Sequence, residues 1–264
     1  MTRLALALAL AASTVAAQPA AGPSSTPLRV GATAVPHAVL LRAIAPDLEA
    51  QGVKLDLRVY EDYGRPNIDV ARGALDANFF QTEPYLWRWR AAHMQPLVVA
   101  GRVHVEPMGL YSRKLKPNEL SRIRTGAIVA VPDDSANLGR ALFLLQKAGL
   151  ILVDERRGLD ALLNDITDNP HKLKFRLLPA QRIAEQLSSA DLLALNGNFA
   201  LEAGLKPEQA LYREGSDSPF PNVVVCREEL VGDPRVTALV AALRSPAAKK
   251  FLLEHFPGSA LPAQ

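Results

Sequence analysis

The stretch "DDSANLGRAL", Asp133 to Leu142, carries an arginine where a helix would be expected to begin. The apolar run "AIVAV" precedes it, and "ALFLLQKAGL" follows on helical spacing and closes at a glycine. Arg140 then lies near the N-terminal turn, where unpaired N–H groups and the helix dipole disfavour a cation by a few tenths to ~1 kcal/mol. A carboxylate lodged between those N–H groups and the guanidinium would resolve the conflict, through charge-assisted hydrogen bonds. Other polar and aromatic residues recur in comparable positions. "EDYGRPN" follows the second strand-like run, "DANFFQTEPYL" brings Phe79, Phe80 and Tyr85 around a strand end, "LNGNFALEAG" closes a strand with small and amide residues, and "SDSPFPNVVV" brings Asn222 to the edge of another. Taken singly these are helix caps, tight turns and core aromatics. Together they cluster where strand-like runs end, which is where open α/β sheets bind ligands.

Residues for other chemistry are sparse. There is no phosphate-binding glycine loop, no dinucleotide fingerprint and no nucleophile elbow. His37, His93, His104, His171 and His255 are scattered, without close metal-ligand spacing. Cys226, in "NVVVCRE", reads as a buried, inert thiol. No catalytic residue, cofactor or metal is expected. A secreted enzyme on this scaffold would have to recruit Glu83, Asp134 or His37 as base or nucleophile.

The elements that must position these residues alternate in type. Strands are expected at "LRVGAT", "KLDLRVYE", "LDANFF", "LVVAGRVHV", "AIVAV", "KFRLLPA", "DLLAL" and "NVVVCRE". Helices are expected from Pro36 to Gly52, in "PNIDVARG", "EPYLWRWRAAH", "NLGRALFLLQKAG", "GLDALLNDIT" and "AQRIAEQLSS", and in the closing "PRVTALVAALRSPAAKKFLLEHF". This order predicts an α/β protein of two lobes, each a mainly parallel sheet flanked by helices, with a crossover near "EPMGLYSRKLKP".

Composition agrees with a globular chain: 264 residues, 48% apolar and 22% charged. The net charge is only +3, from 30 basic and 27 acidic residues, with no dense basic run, so nucleic acid is a poor partner. "MTRLALALALAASTVAAQPA" has a basic start, a short apolar run and small residues before a cleavage point after Ala17. The organisation expected is a signal peptide over 1–17, a disordered leader over 18–27, a first lobe over 28–106, a second over 107–220 and a return to the first over 221–264. With Cys226 as the single cysteine, a soluble periplasmic protein is expected, without lipobox cysteine or lipid anchor.

Six blocks in order, "EDYGRPN", "GALDANFFQTEPYL", "VEPMGLYS", "PDDSANLGRALFLLQKAGLI", "LNGNFALEAGL" and "DSPFPNVVVCRE", resemble those of the methionine-binding (NlpA/MetQ-type) substrate-binding proteins of ABC importers. The resemblance runs from about Leu28 past Glu228. It implies a periplasmic-binding-protein fold (type II-like) that clamps a small amino acid between two lobes. Delivery would be to a membrane permease–ATPase complex, by a monomer. A ligand-binding sensor on the same scaffold would look alike. By the same resemblance Arg140 holds the ligand carboxylate, Asn198 and Asn222 bond the amino-acid head group, and Tyr63, Phe80 and Tyr85 line the side-chain pocket. Thr82 stands where such proteins commonly have a histidine, which leaves the choice among methionine, a related apolar amino acid and a derivative open.

Overall fold

The computed structural model describes residues 26–263. The signal peptide and most of the leader expected from the sequence lie outside the described residues. In chain order the elements are β1 (Leu28–Thr33), α1 (Val39–Ala50), β2 (Leu55–Tyr60), α2 (Arg65–Ala71), β3 (Ala77–Thr82), α3 (Glu83–His93), β4 (Leu97–Val105), β5 (Gly109–Tyr111), β6 (Ile128–Pro132) and α4 (Ser135–Lys147). They continue with β7 (Leu152–Val153), β8 (Ile166–Asp168), β9 (Lys174–Leu178), β10 (Leu192–Leu195), α5 (Gly197–Glu202), β11 (Tyr212–Arg213), β12 (Pro221–Arg227), α6 (Pro234–Leu243), α7 (Pro246–His255) and β13 (Leu261–Pro262).

Two large sheets define two lobes. The first has the order β13-β4-β12-β3-β1-β2 and the second the order β11-β5-β10-β6-β9; β7 and β8 form a separate ribbon. The chain leaves the first sheet through Glu106-Pro107-Met108 and returns through Glu214 to Phe220. The pairing is mixed, whereas mainly parallel sheets were expected. β1 runs parallel to β2 and β3, and β6 to β9 and β10, as helical crossovers require. β12 is antiparallel to β3 and β4, and β5 to β10 and β11, because these strands flank the interlobe connections and carry no helical crossover.

Strands buried on both faces explain the continuous apolar runs. Along β12, Val224 and Cys226 pack under α1, α6 and α7, while Val223 and Val225 pack against Tyr60, Leu86 and Trp89. In β10, Leu192 and Ala194 face Leu142 and Leu145 of α4, and Leu193 and Leu195 face Ile183 and Leu187. Cys226 is thus a wholly buried core residue.

Two expected helices are not α-helical. "GLDALLNDIT" folds as short 3-10 turns followed by β8, with Gly158 at φ 50°. The Asp154 carboxylate takes the N–H of Arg156 and the Asp165 carboxylate that of Leu162, so side chains satisfy the backbone locally. "AQRIAEQLSS" is likewise two 3-10 turns, Ala180–Arg182 and Ala184–Ser188. Among the described residues no helix is long and apolar enough to cross a membrane.

Candidate functional site

The two lobes meet around a narrow, partly open cavity. Tyr63, Phe80, Thr82, Tyr85, Arg140, Asn198 and Asn222 all line it, although 159 positions separate the first from the last. Gln81, Glu106, Asn137, Asn196 and Gly197 line it as well; Asn137, Asn196 and Gly197 lie in strand-end segments that stood out in the sequence, but none of the five was expected as a site residue.

The aromatic wall belongs to the first lobe. Tyr63 follows β2, Phe80 lies in β3 and Tyr85 in the first turn of α3, with ring centroids 5.7–5.9 Å apart. Tyr63 also packs, tilted, 5.0 Å from the Phe199 ring of α5, and its hydroxyl donates to Asn198 Oδ1 at 2.6 Å, so the lobes touch across the cavity. At the rim, Arg88 of α3 pairs with Asp160 of the other lobe. Burial, with Glu106 nearby, pushes the Tyr63 phenol well above its ordinary pKa, so the hydroxyl remains a donor.

The polar floor belongs mainly to the second lobe. Asp134 caps α4 by accepting the Asn137 N–H at 2.9 Å and also takes the Asn137 side-chain amide. Asn137 Oδ1 accepts from Asn196 Nδ2 at 2.7 Å. Two atoms of this floor are buried and without a partner: Asn196 Oδ1, an acceptor, and Asn198 Nδ2, a donor. Such atoms cost about 1–3 kcal/mol each unless a ligand satisfies them. Gly197 lies between them because a Cβ there would come within 2.9 Å of Glu106 Cβ.

Arg140 sits in the second turn of α4, 2% exposed. Its Nε and Nη2 donate to Glu214 Oε1 and Oε2 at 2.8 and 2.5 Å, and Nη2 also donates to the Glu106 carbonyl at 2.7 Å. The guanidinium lies 4.3 Å over the Phe220 ring. The anion that reconciles this cation with the helix N-terminus is therefore Glu214, from the second interlobe connection. That leaves Nη1 as the part of the guanidinium outside these bonds.

Glu106 closes one side of the cavity and belongs at the same time to a buried cluster. Its Oε1 is 3.1 Å from His37 Nε2 and 2.6 Å from His104 Nε2. Among the described residues, these three form the group able to hold a metal ion. Sequence spacing did not show it, because His37 lies in the turn after β1 and His104 in β4, 67 positions later. Burial lowers His37 to about 4 and His104 to about 3, so both imidazoles are neutral near pH 7.

This architecture, two α/β lobes with a partly polar cavity between them, is shared with solved periplasmic substrate-binding proteins of ABC transporters. The chain belongs to the NlpA lipoprotein family, whose sequence profile matches residues 28–264. It is 36% identical over 216 residues to the D-methionine-binding lipoprotein MetQ of Salmonella typhimurium, covering 81% of this chain and 79% of that one. A solved ABC-transporter periplasmic substrate-binding protein from Coxiella burnetii is 40% identical with a TM-score of 0.85, covering 89% of this chain and 100% of that one. A nutrient-binding protein from Burkholderia cenocepacia, solved bound to methionine, is 35% identical with a TM-score of 0.86, covering 90% and 100%.

These findings correct the expected localisation. A soluble periplasmic protein without lipobox cysteine or lipid anchor was expected, but the family is one of lipoproteins and the Salmonella relative carries that name. Cys226, the single cysteine of the sequence, is fully buried in β12.

Proposed function

We propose that this protein captures a small amino acid, methionine or a related apolar amino acid or derivative, between its lobes and delivers it to a membrane permease–ATPase complex. The observation that carries this reading is the pair of open atoms on the cavity floor. Asn196 Oδ1 can accept from an ammonium, and Asn198 Nδ2 can donate to a carboxylate, so the floor suits both ends of a zwitterion. Arg140 adds positive potential on the carboxylate side through Nη1, and Glu106 adds a negative group for the ammonium. Asn222 lines the same floor, with its Oδ1 3.1 Å from His37 Nε2. Tyr63, Phe80 and Tyr85 form an apolar wall for the side chain, and Thr82 shapes its far end.

The methionine named for the Salmonella and Burkholderia relatives supports this ligand class. The two sheets support lobes at 28–106 with 221–264, and at 107–220. The site is read as binding without turnover. Glu83 is held by Arg102, Asp134 caps α4, and His37 is enclosed by Thr33, Asn222 and Glu106.

Denaturing the purified protein and identifying the released molecule by mass spectrometry tests the ligand. Calorimetry with L- and D-methionine, other apolar amino acids and N-acetylmethionine then tests the head-group contacts. Free amino acids should bind, and N-acetylation should weaken binding strongly. Equal binding of the acetylated compound would refute the zwitterion floor. Arg140→Ala removes the Nη1 donor and should cost about 1.5–3 kcal/mol of ligand binding.

A further inference from the structure

Beneath the cavity floor, four electron-pair donors from three separate chain segments converge. His37 lies in the turn after β1, His104 is the penultimate residue of β4, Glu106 opens the first interlobe connection, and Asn222 is the second residue of β12. His104 and Asn222 are direct register partners across β4 and β12, so the sheet itself sets their spacing. His37 Nε2 is 3.1 Å from Glu106 Oε1 and 3.1 Å from Asn222 Oδ1, and His104 Nε2 is 2.6 Å from Glu106 Oε1. All four residues are at most 4% exposed.

We propose that His37, His104, Glu106 and Asn222 form a binding site for one divalent metal ion of the zinc class, placed where both interlobe connections meet the first sheet. This goes beyond the amino-acid reading and does not rest on it.

His37, His104 and Glu106 are donors of the type zinc takes, and the Asn222 carbonyl oxygen stands beside them as a weaker fourth. Zinc accepts imidazole nitrogen and carboxylate oxygen at about 2.0–2.2 Å, and donors on a tetrahedral centre then stand roughly 3.3 Å apart. The separations of 3.1 Å are close to that, His104 Nε2 has to draw back from Glu106 Oε1, and the ligand atoms of His37, His104 and Glu106 lie within 4.8 Å of one another, so the site would contract around the ion. Proton counting favours a cation. His37 Nε2 carries at most one hydrogen yet faces two oxygen acceptors at equal distance. Thr33 Oγ1 lies 2.8 Å from His37 Nδ1 and can accept its hydrogen, which turns the Nε2 lone pair toward the cluster. Such an outer bond on the second ring nitrogen is the usual support of a metal-bound histidine. Phe79 packs edge-on against both imidazoles, at 4.7 and 5.3 Å, and walls the cluster off from the sheet core. Glu106 and Asn222 also line the cavity, so an ion can enter through the cleft before the lobes close. Once bound, it would tie β4 to β12 and to the turn after β1, and fix the Glu106 carboxylate beside the ligand.

The rival arrangement is a metal-free network in which both imidazoles donate to Glu106 Oε1. The test uses the full chain without a histidine tag, stripped with chelator, dialysed and supplied with one equivalent of Zn²⁺ or Co²⁺. The expected result is one Zn²⁺ per chain retained through gel filtration, and a visible Co²⁺ spectrum of tetrahedral character. His37→Ala and His104→Ala should each abolish retention and spectrum. A triple variant of the outlying histidines, His93→Gln, His171→Gln and His255→Gln, should keep both. Failure of wild-type protein to retain Zn²⁺ would overturn the proposal in favour of the metal-free network. So would an octahedral Co²⁺ spectrum, or retention lost only in the triple variant. Because the wild-type measurements decide on their own, a cluster variant that does not fold leaves the test intact.

Discussion

Arg140 shows how much a single residue's role depends on what the fold brings to it. Its neighbours in sequence set a helix start, but the carboxylate that neutralises it arrives from Glu214, 74 positions later. With Arg140 2% and the Glu214 side chain 10% exposed, the pair is desolvated, and removing one partner strands the other's charge. Glu214→Ala should therefore lower unfolding stability by about 3 kcal/mol in urea denaturation, far more than a surface substitution. Asp191 offers a second residue-scale test. Burial alone would raise its carboxyl, but hydrogen bonds from Lys114, the Ile128 N–H and Arg124 hold it at about 2. Because the folded value lies below the unfolded one, the stabilisation is complete above pH ~4 and fades as pH falls toward 2. Lys114 and Arg124 are themselves half-exposed, which limits the effect to about 1–2 kcal/mol. Asp191→Asn should show that deficit at pH 7 and converge with the parent protein near pH 2.

At the scale of elements, local pattern succeeded where period and packing agreed. The strands β1, β2 and β3 and the helices α3 and α4 fall within a few residues of their expected places, since their apolar spacing matches the faces they bury. "GLDALLNDIT" misled because its leucines fit a helical period while Gly158 and the carboxylates of Asp154 and Asp165 favour turns. Those turns then press on α4. A Cβ at Gly139 would lie 2.0 Å from the Leu159 carbonyl oxygen. Gly139→Ala should therefore destabilise by about 1–3 kcal/mol, even though alanine is the better helix former, as thermal melts would show. An equal or higher melting temperature would mean the loop yields without cost.

At the scale of the molecule, the two lobes are held together by contacts that also shape the ligand cavity. Tyr63 is the clearest case, reaching from the first lobe to Asn198 and Phe199 of the second. Tyr63→Phe keeps the ring and removes the hydrogen bond, leaving Asn198 Oδ1 without its donor. Ligand affinity should fall by about 1 kcal/mol, read by calorimetry, and small-angle scattering should show a larger open fraction in the ligand-free protein.

By itself the sequence determined the alternation of elements and the α/β class, because both depend on local periodicity and turn chemistry. Its strand-end segments pointed to a ligand site, and the resemblance of six ordered blocks to a known family picked out Tyr63, Phe80, Thr82, Tyr85, Arg140, Asn198 and Asn222, all of which the fold gathers in one place. Only the tertiary structure decided which charges meet. Glu214 reaches Arg140, and His37, His104, Glu106 and Asn222 converge, through strand order and interlobe connections that leave no trace in spacing. Local pattern fixes which face a side chain takes; pairing between distant strands fixes its neighbours, and the chemistry follows from those neighbours.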